Sequence, residues 1–153
     1  KRVDAFQMGI RRRARELALQ FLYQYDAMTE SSGESSCPEA ELSLFWERSD
    51  TPVPEDMKEF STVLILGACK NLTHIDDIIV RFSEHWRLSR MPKIDRNILR
   101  LSIYELIYLS SIPAAVTINE AVELGKRFGT EESGSFINGI LDKIRIARDK
   151  GEL

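Results

Sequence analysis

Residues 94–109 read IDRNILRLSIYELIYL, and in this stretch apolar side chains recur on almost every side of a helix. A helix that is apolar all round is buried on all sides. The stretch therefore predicts a central helix on which the other helices pack. Arg96, Arg100 and Glu105 lie within it. Because buried charges need partners, we expect structural ion pairs here rather than catalysis.

The flanking sequence carries further helix signals. Thr73 with Asp76 is typical of a helix start, and the apolar pattern after it continues to Trp86. Residues 117–120, TINE, form a capping box that predicts another helix start, and Thr130 predicts the cap of the last helix. Since no segment alternates with a period of two, we predict an all-α fold of about six or seven helices.

Length and composition are those of one globular domain. The chain has 153 residues, of which 43% are hydrophobic and 29% charged. We expect a single domain over 1–153, with 1–9 as a flexible N-terminal extension. Cys37 and Cys69 are isolated thiols, and no apolar run approaches the roughly 20 residues that span a bilayer. These features, with no visible signal peptide, predict a cytoplasmic protein without a membrane partner.

Motifs for catalysis, metals or cofactors do not emerge from the pattern. His74 and His85 stand eleven residues apart, and with the cysteines they form no cluster of metal-ligand spacing. The glycines of the last third lack the spacing of a phosphate-binding loop. They are Gly125, Gly129, Gly134 and Gly139. We therefore expect no enzyme activity, no metal and no cofactor.

The first helix carries a concentration of positive charge. Residues 11–15 read RRRAR, and residues 1–15 hold six Lys or Arg and one Asp, a net charge of +5. Since the whole chain carries −3, residues 16–153 carry −8. Such polarity favours a site for a large anion, with nucleic acid as the first candidate.

Helical phase divides this first helix into two faces. An apolar stripe predicts its core side: Ile10, Ala14, Leu17, Phe21, Tyr25 and Met28. Arg12, Leu19 and Tyr23 lie on the opposite side, with Arg15 beside them. That face could bind phosphate and stack a base. Alternatively, Leu19 and Tyr23 pack on another helix while the arginines are only solvated. The helix alone leaves both interpretations open.

Several stretches, taken in order, resemble one family. They are RRRARE at 11–16, DRNILR at 95–100 with YEL at 104–106, INEAVEL at 118–124 and FINGILDK at 136–143. Together they resemble the NusB family of bacterial transcription antitermination factors, from residue 11 to about 144. Residues 1–10 are longer than the family's usual lead-in, and the Ser-rich connection at 31–36 matches no family feature.

The resemblance implies a helical bundle of two packed subdomains without catalytic activity, acting as a single RNA-binding domain. It also implies the partners: single-stranded boxA-type RNA, the ribosomal protein NusE, and the RNA polymerase antitermination complex that reads through ribosomal RNA operons. No cofactor is implied.

The resemblance further implies the site residues. Arg11, Arg12, Arg13 and Arg15 match the family's RNA-contacting arginines, and Tyr23 matches an aromatic on the same helix. Phe136 is a further candidate for RNA contact, although its place in an apolar stripe favours the core. Asp95 falls where the family offers an acid to its protein partner, but Arg96 and Arg100 could pair with it instead. Helix geometry favours Arg12, Arg15 and Tyr23 most.

Two alternative functions stay open at this point. A NusB-like domain also begins some ribosomal RNA cytosine methyltransferases, which would require an α/β domain after Leu153. The chain could instead be a protein-interaction module that forms a homodimer. Leu19, Leu22 and Tyr23 beside the arginines would suit such an interface.

Overall fold

A computed structural model describes the backbone of residues 2–33, 37–84 and 86–153, and the side chains of these ranges from residue 9 onward. The described ranges form seven α-helices, one short 3-10 turn and no strand, which confirms the predicted all-α fold. The helices are α1 (Arg2–Ser32), α2 (Pro38–Glu47), α3 (Glu55–Lys70), α4 (Leu72–Phe82), α5 (Lys93–Tyr108), α6 (Ala114–Phe128) and α7 (Ser133–Asp149), with the 3-10 turn at Leu88–Arg90.

Contacts divide the chain into two compact units, Lys1–Lys70 and Asn71–Leu153. The first holds α1 to α3 and the second α4 to α7. Because α1 begins at Arg2, the backbone of residues 2–9 belongs to this helix and is not a separate extension. Lys1, the middle of the Ser-rich connection at 34–36, and His85 lie outside the described residues.

In the first unit, α1 packs along α3, and α2 contacts both. The predicted core stripe of α1 is confirmed at Ile10, Ala14, Leu17 and Phe21, which are buried. Tyr25 and Met28 are half-buried, because the stripe reaches the unit's edge. From α3 come Leu64, Ile65 and Ala68, all almost fully buried.

In the second unit, α5 lies at the centre and contacts α4, α6 and α7. Ile98, Leu99 and Ile103 on this helix have no exposed surface. The prediction of a buried central helix is therefore confirmed. Four of its charged side chains are buried too, and each one bonds to a different neighbouring element: Asp95, Arg96, Arg100 and Glu105.

Two arginines of α5 find partners toward the start of the second unit. Arg100 forms a two-pronged ion pair with Asp76 of α4, with Nε 2.8 Å from Oδ1 and Nη2 2.9 Å from Oδ2. Arg96 donates from Nη1 to the carbonyl oxygen of Leu88 in the 3-10 turn at 3.1 Å. The predicted structural ion pair is thus confirmed for Arg100, while Arg96 also binds backbone.

Two acids of α5 bind hydroxyl groups. Thr117 Oγ1 donates to Glu105 Oε1 at 2.8 Å, and Ser133 Oγ donates to Asp95 Oδ1 at 2.7 Å. These bonds connect α5 to α6 and to the first residue of α7. The alternative that Arg100 pairs with Asp95 is wrong, because the guanidinium of Arg100 faces Asp76.

Three predicted helix boundaries are wrong. Helix α6 begins at Ala114 after Pro113, so Thr117 lies inside it and bonds Glu105 instead of capping. Helix α4 begins at Leu72 and ends at Phe82, before Trp86. Helix α7 begins at Ser133, three residues after Thr130, which forms the preceding turn. In α6, the expected capping residue Thr117 bonds to Glu105 of α5 instead. In α4, Asp76 of the expected capping pair bonds to Arg100 of α5 instead.

Helices α6 and α7 approach closely at a glycine. A Cβ atom on Gly125 would stand 2.9 Å from Ile137 Cδ1 and 3.3 Å from the backbone nitrogen of Gly134. A larger residue there would push α7 away. Gly125 therefore serves helix packing.

We predict that Asp76→Ala lowers the free energy of unfolding by about 3 kcal/mol, because it leaves the buried Arg100 guanidinium without its carboxylate. Chemical denaturation measures the change. Asp142→Ala is the matched control: it breaks the exposed pair with Arg145, 2.8 Å apart, and should cost under about 1 kcal/mol. Equal losses in the two variants would contradict the structural role of the buried pair.

Asp95 gives a second prediction, on pH dependence. Burial raises the pKa of Asp95 above the ordinary 3.8, although the hydrogen bond from Ser133 opposes the shift. An acid that binds its proton more tightly when folded contributes less stability as pH rises through the interval between its unfolded and folded pKa. Asparagine can accept the same hydrogen bond but does not titrate there.

We therefore expect the stability of the wild type, measured relative to Asp95→Asn by denaturation, to decrease as the pH is raised from about 4 to 7. The double variant Asp95→Asn, Ser133→Ala should have the same pH dependence of stability as Asp95→Asn alone, because neither protein has an acid at position 95. A difference between wild type and Asp95→Asn that stays constant with pH would show that Asp95 has the same pKa folded and unfolded.

Candidate nucleic-acid interface

The arginine stretch lies on α1 of the first unit and is partly exposed. Arg11, Arg12 and Arg13 are exposed, whereas Ala14 and the residues to Leu19 are buried. Three consecutive guanidinium groups thus stand at the surface where α1 enters the unit. Their donors form planar forks that suit phosphate oxygens.

The ring of Phe60 on α3 contacts two arginines of this stretch. The guanidinium carbon of Arg11 lies 4.9 Å from the centre of the Phe60 ring, and that of Arg15 lies 5.3 Å from it. Cation–π contact at these distances orients both guanidinium groups relative to the ring. No signal in the sequence predicted this contact.

Arg15 is a correction to the helix-geometry argument. We expected it to turn away from the core with Arg12 and Tyr23, but its exposed fraction is 5%. The one-stripe picture of α1 fails because several sides of the helix are buried over residues 14–19. Arg12 and Tyr23, the latter 41% exposed, do lie at the surface.

Arg13 is held by a neighbouring acid. Its Nη1 donates to Glu16 Oε2 at 2.9 Å, and the Glu16 side chain is only 7% exposed while that of Arg13 is 53% exposed. A short bond to a buried carboxylate restricts the arginine to few rotamers. The guanidinium is therefore oriented before any ligand arrives.

The homodimer interface suggested by the sequence is not supported. It relied on Leu19 and Leu22, whose exposed fractions are 4% and 5%. Both side chains are already buried within the chain, so Tyr23 alone of the three is accessible. A second copy would find little apolar surface on this part of α1.

Phe136 lies in the second unit, on α7, and is half-buried rather than part of the core. Its ring meets the exposed ring of Trp86 edge-on, with centroids 6.0 Å apart. Trp86 is 48% exposed. The sequence had assigned it to the end of a helix. An accessible aromatic pair of this kind is able to stack unpaired bases.

Asp95 does not fit the part of an acid offered to a protein partner. It is 4% exposed, and its carboxylate accepts the hydrogen bond from Ser133. The bonded oxygen is therefore already occupied by a residue of α7. The structure thus places Asp95 in the interior of the second unit, not on a surface.

No group of three or more His, Cys, Asp or Glu side chains within the described ranges is arranged to hold a metal ion. None of the helices in the described part of the chain has the length and apolar character needed to cross a membrane. Cys37 is exposed and Cys69 is half-buried, and the two form no disulfide.

Comparison with known proteins bears on the whole chain. The sequence profile of the NusB family matches residues 12–145. A transcription antitermination protein NusB of Desulforapulum autotrophicum is 46% identical over 147 residues, which cover 95% of this chain and 99% of the relative. The protein of the same name from Myxococcus xanthus is 47% identical, covering 94% of this chain and 99% of its own length.

Solved structures agree with the sequence comparison. T. maritima NusB superposes with a TM-score of 0.78 at 40% identity, covering 94% of this chain and 97% of that one. A structure of antitermination factors NusB and NusE in complex with dsRNA superposes with a TM-score of 0.77 at 29% identity, covering 92% and 98%. Family profile, relatives and fold coincide over nearly the full length, and the chain belongs to the NusB family.

Proposed function

We propose that this protein is an RNA-binding transcription antitermination factor. It binds boxA-type RNA together with the ribosomal protein NusE and promotes readthrough of ribosomal RNA operons as part of the RNA polymerase antitermination complex. It acts in the cytoplasm as a non-catalytic adaptor. One domain over 1–153 carries this activity.

Relatives and neighbours support the assignment. The relatives named as transcription antitermination proteins are matched over 99% of their length. This favours the antitermination function over a domain of a larger methyltransferase. A structural neighbour at 29% identity is a NusB bound to NusE and dsRNA.

The observation that carries the proposal is the row of exposed, oriented arginines on α1. Arg11 is supported by Phe60, and Arg13 by Glu16. Fixing the guanidinium groups in advance reduces the side-chain entropy lost when RNA binds. Arg12 and Tyr23 complete this surface on one helix, where tyrosine offers a ring for a base. Arg15 is buried, so its part is to hold the Phe60 ring that supports Arg11.

Phe136 extends the proposed RNA contacts to the second unit, and we add Trp86 to it. Their edge-on arrangement leaves ring surface open to solvent. Asp95 is assigned a different part in partner binding: it fixes the start of α7 through Ser133 and so influences a partner only indirectly.

The function is tested by titrating boxA-type RNA and a scrambled RNA of equal composition, each with and without purified NusE. We expect boxA-type RNA to bind more tightly than the scrambled RNA, and NusE to increase that difference. Equal binding of both RNAs in every condition would leave only a generic basic patch.

The arginine surface makes a quantitative prediction about salt. Each phosphate contact to single-stranded RNA contributes roughly −0.7 to the slope of log K against log salt, so three exposed arginines should give about −2. The double variant Arg11→Gln, Arg12→Gln should reduce the slope by about 1.4. It spares Arg15, which is buried, and Arg13, which bonds Glu16.

Arg127→Gln is the matched control, because it removes the same charge from an exposed arginine of α6 in the second unit. Its slope should equal that of the wild type. If the double variant and the control keep the same slope, α1 does not contact the phosphates.

A further inference from the structure

A cavity of about 600 Å³ lies entirely within the first unit, between α1, α2 and the residues that follow α2. This volume is within the range of small-ligand sites. The lining residues that come from α1 are spaced three and four apart in the chain, so one face of this helix lines the cavity. Members of that face include Arg13, Gln20, Gln24 and Tyr25.

Aromatic rings form one wall of the cavity. Phe21 and Tyr25 are stacked with centroids 5.5 Å apart, and Phe45 meets Phe21 edge-on at 5.6 Å. Trp46 joins the cluster through Phe45 at 5.2 Å. Tyr25, Phe45 and Trp46 are only half-buried, so the cluster keeps ring surface that a ligand could cover. A planar ligand is the best fit to such walls.

The polar lining argues against a simple anion. Arg13 and Arg48 supply two positive charges, and Glu41 and Asp50 supply two negative charges. A phosphate would meet repulsion as well as attraction. A neutral ring with both donors and acceptors suits this lining, because carboxylates accept from ring and amino N–H groups while arginine donates to ring nitrogen and carbonyl oxygen.

The wall formed by the segment after α2 is fixed by its own hydrogen bonds. Ser49 Oγ donates to the carbonyl oxygen of Thr51 at 2.7 Å. The backbone nitrogen of Arg48 donates to the carbonyl oxygen of Leu44 at 3.0 Å. The cavity therefore does not depend on a ligand to hold this segment in place.

Arg13 belongs both to the cavity wall and to the exposed arginines, because it lines the cavity and its side chain is 53% exposed. It lies on the next face of α1 from Arg12. Its bond to Glu16 holds it there. We propose that the cavity takes one unstacked nucleobase of the RNA whose phosphates the arginines bind. This inference rests on the proposed RNA-binding function and adds a base-specific site to it.

The test is a scan of abasic substitutions along boxA-type RNA, measured with the wild type and with Tyr25→Leu. At one position, loss of the base should weaken binding to the wild type by about tenfold, as expected for a base stacked on aromatic side chains. With Tyr25→Leu that penalty should disappear. Gln20→Ala is the second variant, for use if Tyr25→Leu disturbs folding. It changes an exposed lining residue, leaves the aromatic cluster intact and should reduce the same penalty.

Tyr23→Leu is the matched control, because Tyr23 lies two residues away on α1 but does not line the cavity. It should weaken RNA binding and keep the abasic penalty at the cavity position. If RNA binds but neither Tyr25→Leu nor Gln20→Ala alters any penalty, the cavity proposal is overturned and the RNA-binding function stands. If no RNA binds to the wild type, both fall together.

A protein side chain is the competing occupant. Quenching of tryptophan fluorescence that is lost in Trp46→Phe reports on the cavity. RNA alone should produce it. Quenching by NusE alone, with none from RNA, would assign the cavity to an aromatic side chain of a protein and overturn the nucleobase proposal.

Discussion

The second unit depends on the burial of α5 on every side. A helix in that position cannot leave its polar groups unsatisfied without a large cost in free energy, so each must find a partner on a neighbouring element. The partners lie on α4, the 3-10 turn, α6 and α7. The side chains are Asp95, Arg96, Arg100 and Glu105.

These polar contacts do more than neutralise charge. Apolar packing alone tolerates sliding of one helix along another, whereas a two-pronged bond such as that of Arg100 with Asp76 fixes direction and register. The bond from Ser133 to Asp95 fixes the first turn of α7, the helix that carries Phe136. Fold specificity and the position of a proposed RNA contact therefore share one cause.

The first unit follows a similar rule with a different result. From residue 9 onward, where the structure describes side chains of α1, burial over residues 14–19 leaves Arg11, Arg12 and Arg13 as the accessible positive charge. Phe60 then restricts how the guanidinium group of Arg11 points, and Glu16 restricts that of Arg13. The protein thus carries a local positive surface, although its net charge is −3. Local placement of charge, and not the total, decides what this protein attracts.

The sequence by itself determined the all-helical fold, the burial of α5 and the charge of the arginine stretch, because helical periodicity and charge are properties of neighbouring residues. It missed the burial of Arg15, the placement of Thr117 inside α6 and the partner of Asp95. Only the tertiary structure decided these, together with the contact to Phe60 and the cavity. Each depends on a residue distant in the chain, and local pattern carries no information about which distant side chain will arrive.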